Sequence, residues 1–201
     1  KDPRVAWTSK SVEIPSPVLY GGRLLCVRSD GFGLCLDPAT GDRLSLGVAG
    51  RPFAVLSGPN IAGEVARGLP AAAVIACESM ALAVQLQLAI TSPTFRVYAS
   101  DDLAGVELCA AAKNVIALAA GGADGLGLGD NTKAALVARG LAEMGRLADA
   151  VGARPETFSG LAGMGDLIVT CWSKAGRNRR CGELVAQGKT VEEAVAEIGH
   201  V

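Results

Sequence analysis

The run Val106-Glu107-Leu108-Cys109-Ala110-Ala111-Ala112-Lys113-Asn114-Val115-Ile116-Ala117-Leu118 reads as a helix that is apolar almost all the way round. Such a helix belongs inside an assembly of helices rather than on its surface. Downstream of it, residues 131–151, 179–187 and 190–198 also read as helices, with residues 106–119 as the first of the set. The last begins Thr190-Val191-Glu192-Glu193, a capping box in which the threonine hydroxyl and a glutamate carboxylate satisfy reciprocal backbone donors. In the helix from Asn131, Leu136, Gly140, Leu141, Met144 and Leu147 recur at three- and four-residue spacing, while Arg139, Glu143 and Arg146 fall elsewhere on its surface. Upstream the pattern alternates: strand at 53–56, helix at 60–67, strand at 71–77, helix at 79–90 and strand at 94–99, which is α/β material.

Further upstream the texture changes again. Pro15-Ser16-Pro17-Val18-Leu19-Tyr20, Arg23-Leu24-Leu25-Cys26-Val27-Arg28, Phe32-Gly33-Leu34-Cys35-Leu36 and residues 43–46 are short β runs. Gly21-Gly22, Ser29-Asp30-Gly31 and Asp37-Pro38-Ala39-Thr40-Gly41-Asp42 punctuate them as hairpin turns. With Trp7, this segment of about 7–46 resembles one blade of a pyrroloquinoline-quinone-type β-propeller repeat, although no second copy follows. The uncharged linker Leu46-Gly47-Val48-Ala49-Gly50 has the look of a seam. The chain opens on Lys1-Asp2-Pro3-Arg4, with neither a Met nor a signal sequence, as a piece cut from within a gene would.

Composition sets the limits. Half of the 201 residues are apolar, 19% are charged and mean hydropathy is +0.34, enough for a sizeable core. Nineteen Lys and Arg against 20 Asp and Glu leave a net charge of -1, so no long-range field gathers nucleic acid or an anionic membrane. No uninterrupted apolar stretch reaches the roughly 20 residues that span a bilayer. The single histidine, His200, argues against Ser-His-Asp or Cys-His catalysis and against a multi-histidine metal site. Six cysteines (Cys26, Cys35, Cys77, Cys109, Cys171 and Cys181) include no C-x-x-C pair, which points to buried thiols in a reducing compartment. Twenty-six glycines, where average usage of about 7% gives roughly 14, imply many close backbone approaches.

Three elements could carry chemistry. Lys113 in its apolar helix is either a snorkelling side chain that reaches water or a carboxylate, or a proton donor and acceptor beside a cleft; Asn114 could orient its ammonium. Gly163-Met164-Gly165-Asp166 lacks the preceding strand and third glycine of a dinucleotide fingerprint, and Asp166 is open to reading as a helix N-cap. Lys174-Ala175-Gly176-Arg177-Asn178-Arg179-Arg180 packs four cations into seven residues ahead of a helix, where N–H groups and guanidinium forks could converge on a phosphate; a solvated basic turn is the plainer reading. Gly121-Gly122-Ala123-Asp124-Gly125-Leu126-Gly127-Leu128-Gly129-Asp130-Asn131 has no Gly-Lys-Ser/Thr, so it is read as a tight connection between helices rather than a P-loop.

From about Phe53 to Val201 the chain resembles the bacterial NAD(P)-dependent glycerol-3-phosphate dehydrogenases. The likeness rests on Leu56-Ser57-Gly58-Pro59, Phe95-Arg96-Val97-Tyr98, Gly105-Val106-Glu107-Leu108, Lys113-Asn114-Val115-Ile116, Arg139-Gly140-Leu141-Ala142-Glu143-Met144, Leu161-Ala162-Gly163-Met164-Gly165-Asp166-Leu167 and Arg177-Asn178-Arg179-Arg180. The resemblance implies a mixed α and β fold. Residues 1–49 would be an N-terminal antiparallel β meander, residues 50–102 a short α/β remnant of a Rossmann domain, and residues 103–201 an all-helical substrate domain of the 6-phosphogluconate-dehydrogenase C-terminal type.

It also implies hydride transfer between NAD or NADP and a small phosphorylated three-carbon substrate in the cytoplasm, with phospholipid synthesis as its outlet and a homodimer left open. Lys113 matches the catalytic lysine, and Gly58, Asn60, Asp166, Gly176, Arg177 and Asn178 match substrate contacts. Ala62, Arg177 and Val201 match cofactor contacts, and no metal is implied. Asn60 stands where the bacterial pattern has Ser or Thr, and Gly176 where it has Ser. No G-x-G-x-x-G element precedes Phe53, and the chain stops before the family's Glu-Gly motif, so little or no turnover is expected of these 201 residues alone. The other classes left open are a non-catalytic scaffold and a fusion fragment joining two genes.

Overall fold

The computed structural model describes residues 53–199, together with the backbone of four strands at residues 18–20, 23–27, 33–36 and 43–45. The chain divides into two compact units, Lys1–Pro52 and Phe53–Val201. In the first, β1 (Val18–Tyr20), β2 (Arg23–Val27), β3 (Gly33–Leu36) and β4 (Arg43–Ser45) form an antiparallel sheet in sequence order, with a register shift between Cys35 and Leu36. The meander expected there is present. Trp7, the turns between these strands and the seam at Ala49 lie outside the described residues, as do His200 and Val201.

The second unit begins with β5 (Ala54–Ser57), α1 (Ala62–Ala66), β6 (Ala71–Cys77), α2 (Met80–Ile90) and β7 (Phe95–Ser100). β6 is the central strand. Its Ala73, Ile75, Ala76 and Cys77 are all buried, as a strand covered on both faces requires. It pairs parallel with β7, from Ala71 opposite Phe95 to Ala76 opposite Ser100, and α2 supplies the crossover that a parallel pair needs. β5 pairs with it antiparallel, from Ala54 opposite Cys77 to Ser57 opposite Val74. The sheet is therefore mixed rather than wholly parallel.

Helices make up the rest: α3 (Leu103–Gly125), α4 (Gly129–Val151), α5 (Pro155–Ser159), a π-helical turn (Leu161–Gly165), α6 (Asp166–Trp172), α7 (Arg177–Ala186) and α8 (Val191–Ile198). Asp102 caps α3 by accepting the Gly105 N–H at 3.0 Å, and its other oxygen accepts the Arg154 N–H at 3.0 Å, tying the entry of α5 to the start of α3. The capping box at Thr190 and Glu193 forms as the sequence predicts, and Gly199, at φ +82°, ends α8 in the left-handed region that glycine enters without strain.

One core cluster, with Cys109, Ala117, Val137, Met144, Phe158 and Leu167, lies between α3, α4, α5 and α6. A second, of Val55, Ala76, Val106 and Ala162, joins the sheet to the helices.

Several expectations change. The glycine-rich stretch from Gly121 is helix as far as Gly125, and only residues 126–128 connect α3 to α4. Close packing overrides glycine's poor helix propensity here. A Cβ at Gly121 would fall on the Arg179 carbonyl, one at Gly125 on the Glu183 carbonyl and one at Gly182 on the Leu118 carbonyl, so α3 and α7 touch backbone to backbone. Leu147, expected on the packed side of α4, is exposed. Between α4 and α7 residues 155–172 form three short helical elements in succession, where the sequence pattern offers only the N-cap reading of Asp166. By length and mean hydropathy α3 could cross a membrane, but it carries Glu107, Lys113 and Asp124 and supports α4, α6 and α7.

Candidate functional site

Lys113 projects from the middle of α3, and its Nζ forms an ion pair with Asp166 Oδ2. The lysine side chain keeps 21% of its exposure and the aspartate 5%. Asp166 follows the π-helical turn, in which the Gly165 N–H donates to the Gly160 carbonyl at 3.0 Å. It is the first residue of α6 and not its cap, which is Gly165, so the N-cap reading is corrected: one carboxylate oxygen meets the lysine rather than the N–H groups at the start of the helix.

Two hydroxyls complete its shell. Thr170 Oγ1, one turn on, donates to the Asp166 carbonyl at 2.6 Å and lies 3.2 Å from Oδ1, while Ser57 Oγ, at the end of β5, lies 3.4 Å from Oδ2. Ser57 and Thr170 were not singled out as site residues from sequence. The spacing of Thr170 four residues after Asp166, one helical turn, is the signal that could have found it.

Asn114 does not orient the ammonium. Its Oδ1 accepts from Asn178 Nδ2 at 2.9 Å, and its Nδ2 points to the Ala110 carbonyl at 3.4 Å. The start of α7 is thereby joined to the residue beside Lys113. Gly176 is the α7 N-cap, where an added Cβ would lie 2.9 Å from the Thr170 carbonyl. Glycine suits this position because a side chain there would press on the backbone of α6.

The four cations do not converge. Arg179 is buried and bonded to Asp124 and Glu183, and Arg180 to Glu183 and Glu197, whereas Lys174 and Arg177 are exposed.

The loop after β5 brings Gly58, Pro59 and Asn60 to the same junction. Gly58 has φ +147°, and a Cβ there would meet Ala73 Cα at 2.9 Å, so the position demands glycine. Pro59 lies against Gly165, 3.7 Å from where a Cβ would stand. Asn60 Oδ1 is buried without a hydrogen-bond partner. An acceptor in that state suits a donor on a bound molecule. Ala62, the first residue of α1, is exposed, and no described contact brings it to Lys113. A cavity of about 390 Å³ beside β7 and α5, lined by Tyr98, Ser100, Arg154 and Thr157 among others, does not include Lys113.

Nearby ionisable groups respond to burial. It pushes the Cys109 thiol up to about 12, helped by the Asp102 and Asp166 carboxylates and opposed by Lys113, so this cysteine is no nucleophile. Burial likewise raises Glu107 on the same helix. Among the described residues no three His, Cys, Asp or Glu side chains gather as a metal site would require.

Residues 102–201 match the family described as NAD-dependent glycerol-3-phosphate dehydrogenase C-terminus, and residues 45–83 match its N-terminus. The N-terminal match begins ahead of both Ala49 and Phe53. A glycerol-3-phosphate dehydrogenase (NAD(P)+) of Geobacter metallireducens is 50% identical over 187 residues, covering 91% of this chain and 56% of the relative. One from Symbiobacterium thermophilum is 56% identical over 144 residues, covering 72% and 42%. The crystal structure of glycerol-3-phosphate dehydrogenase from Coxiella burnetii superposes with a TM-score of 0.73 at 47% identity, over 75% of this chain and 46% of that one. The chain spans about half the length of the curated relatives it matches. None of these matches supports the likeness of residues 7–46 to a propeller blade.

Proposed function

The chain belongs to the NAD-dependent glycerol-3-phosphate dehydrogenase family through residues 45–83 and 102–201, and from that premise we propose that it serves reversible hydride transfer between NAD(P)H and dihydroxyacetone phosphate, giving sn-glycerol 3-phosphate. The observation that carries this reading is the anchoring of one lysine Nζ by a buried carboxylate that two hydroxyls hold in turn, where sheet and helices meet. In this reading residues 50–102 are the remnant of the dinucleotide-binding domain and residues 103–201 the helical substrate domain, of the 6-phosphogluconate-dehydrogenase C-terminal type. Its setting is the cytoplasm, its outlet phospholipid synthesis and its assembly a homodimer.

Lys113 is the catalytic residue. As the central carbon of dihydroxyacetone phosphate is reduced, the Nζ ammonium gives its proton to the carbonyl oxygen; in the oxidative direction the amine takes the proton back from the hydroxyl. Asp166 holds Nζ at one place, and Ser57 and Thr170 hold Asp166. Arg177 and Asn178, at the first positions of α7 after Gly176, bind the phosphate together with N–H groups of the helix start. The loop of Gly58 and Asn60 meets the substrate and the near end of the cofactor. The unpartnered Asn60 Oδ1 fits a hydroxyl or amide donor there. Ala62 and Arg177 are assigned to the cofactor, as is Val201, which lies outside the described residues. Bound NAD(P)H supplies the hydride.

A thermal melt tests the reading. Glycerol 3-phosphate at about tenfold its Kd adds about 1.4 kcal/mol to the folded state. It is expected to raise the Tm of the chain, and Arg177→Ala to remove the rise. A folded sample whose Tm ignores millimolar glycerol 3-phosphate would refute the site.

A further inference from the structure

Arg179 and Lys133 are both buried cations, 6% and 4% exposed, and neither touches Lys113 or Asp166. They meet at Asp124, in the last turn of α3, about 16 Å along that helix from Lys113 at 1.5 Å per residue. Lys133, on α4, donates to the two Asp124 oxygens at 2.9 and 2.7 Å, and its Nζ stands 5.1 Å from the centre of the Trp172 ring at the end of α6. Arg179 pairs with Asp124 Oδ2 through Nη1, with Glu183 at 3.1 Å through Nη2, and with the Ser173 carbonyl at 3.2 Å through Nε. That same carbonyl accepts the Gly176 N–H at 3.0 Å, the bond that closes the turn into α7. A buried ionic cluster of this kind is weak as a source of stability, since apolar residues of equal volume often do as well, and its value lies in fixing one arrangement.

We propose that Arg179 is a positioning residue for ligand binding: clamped between Asp124 and the Ser173 carbonyl, it sets where α7 begins and so holds Asn178 against Asn114, the chain neighbour of Lys113, and with it the adjacent Arg177. The proposal rests on the preceding assignment of Arg177 and Asn178 to the phosphate. Its geometry is continuous. Arg179 follows Asn178 directly, Asn178 is bonded to Asn114 next to Lys113, and the Arg179 carbonyl sits on Gly121 with no room for a Cβ between them. α7 is thus fixed at its side chain, its backbone and the turn before it. The remaining charges facing the cluster, Glu183 and Arg180 on α7 and Glu197 on α8, link it onward to Lys189 and leave the assignment unchanged.

The test compares Arg179→Leu and Arg179→Lys with the parent chain, well below their melting temperatures. Glycerol 3-phosphate affinity is measured by calorimetry, and the side-chain amides of Asn178 and Asn114 are followed by 15N NMR. Lys133 still neutralises Asp124 in the leucine variant, so the helices are expected to persist. Affinity should fall at least tenfold, the Asn178 amide should move to the position of a solvated amide, and lysine should restore at least threefold of the lost affinity.

A folded leucine variant with affinity within twofold of the parent and an unmoved Asn178 amide would overturn the proposal. If the leucine variant does not fold, Asp124→Asn is measured in the same way: a threefold loss with a moved amide supports the clamp, and no change overturns it. A parent chain that binds no glycerol 3-phosphate refutes the phosphate site itself, and the Asn178 amide alone then decides whether Arg179 sets α7.

Discussion

The Asp166 carboxylate is approached by Lys113 and Ser57 at one oxygen and by Thr170 at the other, so each partner has a different consequence when removed. Asp166→Ala leaves a half-buried ammonium and the Ser57 hydroxyl without their acceptor, while Thr170 keeps the main-chain carbonyl of residue 166, and should cost about 1–3 kcal/mol, read from urea denaturation. If Lys113 is the proton donor proposed above, the same change in the assembled enzyme should cut kcat far more than it raises KM, because on that assignment it frees the Nζ that meets the reacting oxygen. Lys113 and Asp166 could each be picked from the sequence by the oddity of a lysine in an apolar helix and a carboxylate after small residues. Their pairing could not be picked, since 53 positions separate them and no periodicity crosses that gap. The basic run divides in the structure. Arg179 and Arg180 are already paired within the fold, both reaching Glu183, while Lys174 and Arg177 are exposed.

Among the helices, the contact of α3 with α7 gives a sharp contrast between neighbouring glycines. Gly121→Ala must push the Arg179 carbonyl away and should destabilise by about 1–3 kcal/mol or more. Gly122→Ala meets nothing within 4 Å and should be neutral or stabilise by up to about 1 kcal/mol through helix propensity. Paired thermal melts check both, and equal effects would mean that the helices do not touch as described.

Local rules served well where local chemistry rules. The capping box of α8 forms as written, 71–77 is a strand to the residue, and the α2 start at Met80 needs only Ser79 as its cap. They failed at residues 121–125, where a helix survives its glycines because another helix lies on them. They failed again between α4 and α7, where three short elements depend on burial of Phe158, Ala162 and Leu167 rather than on any period.

For the unit of residues 53–201 taken together, acid is the informative stress. Partial burial alone would raise the Asp124 carboxyl, but hydrogen bonds and charge from Lys133 and Arg179 outweigh it and hold it below the ordinary range. A carboxyl lowered on folding contributes stability that is complete above its unfolded pKa, about 3.9. That contribution is lost as pH falls through the lower folded value. Denaturation midpoints should therefore drop below about pH 4, and Asp124→Asn should lower stability at neutral pH while flattening that acid limb. An Asn variant with an unchanged acid limb would show that Asp124 is not the group responsible.

Ser57 reaches Asp166 across 109 positions and Lys113 reaches it across 53, so this small constellation is closed by contacts that are distant along the chain. Distant closures carry the largest entropic toll and are late to form, whereas each helix can appear from neighbours alone. A collapsed, misassembled population would thus display a full helical circular-dichroism signal and yet hold no phosphate ester. With the phosphate site proposed above, ligand capture is the stricter gauge of correct folding, and refolding followed by both signals should show helicity recovering before binding does.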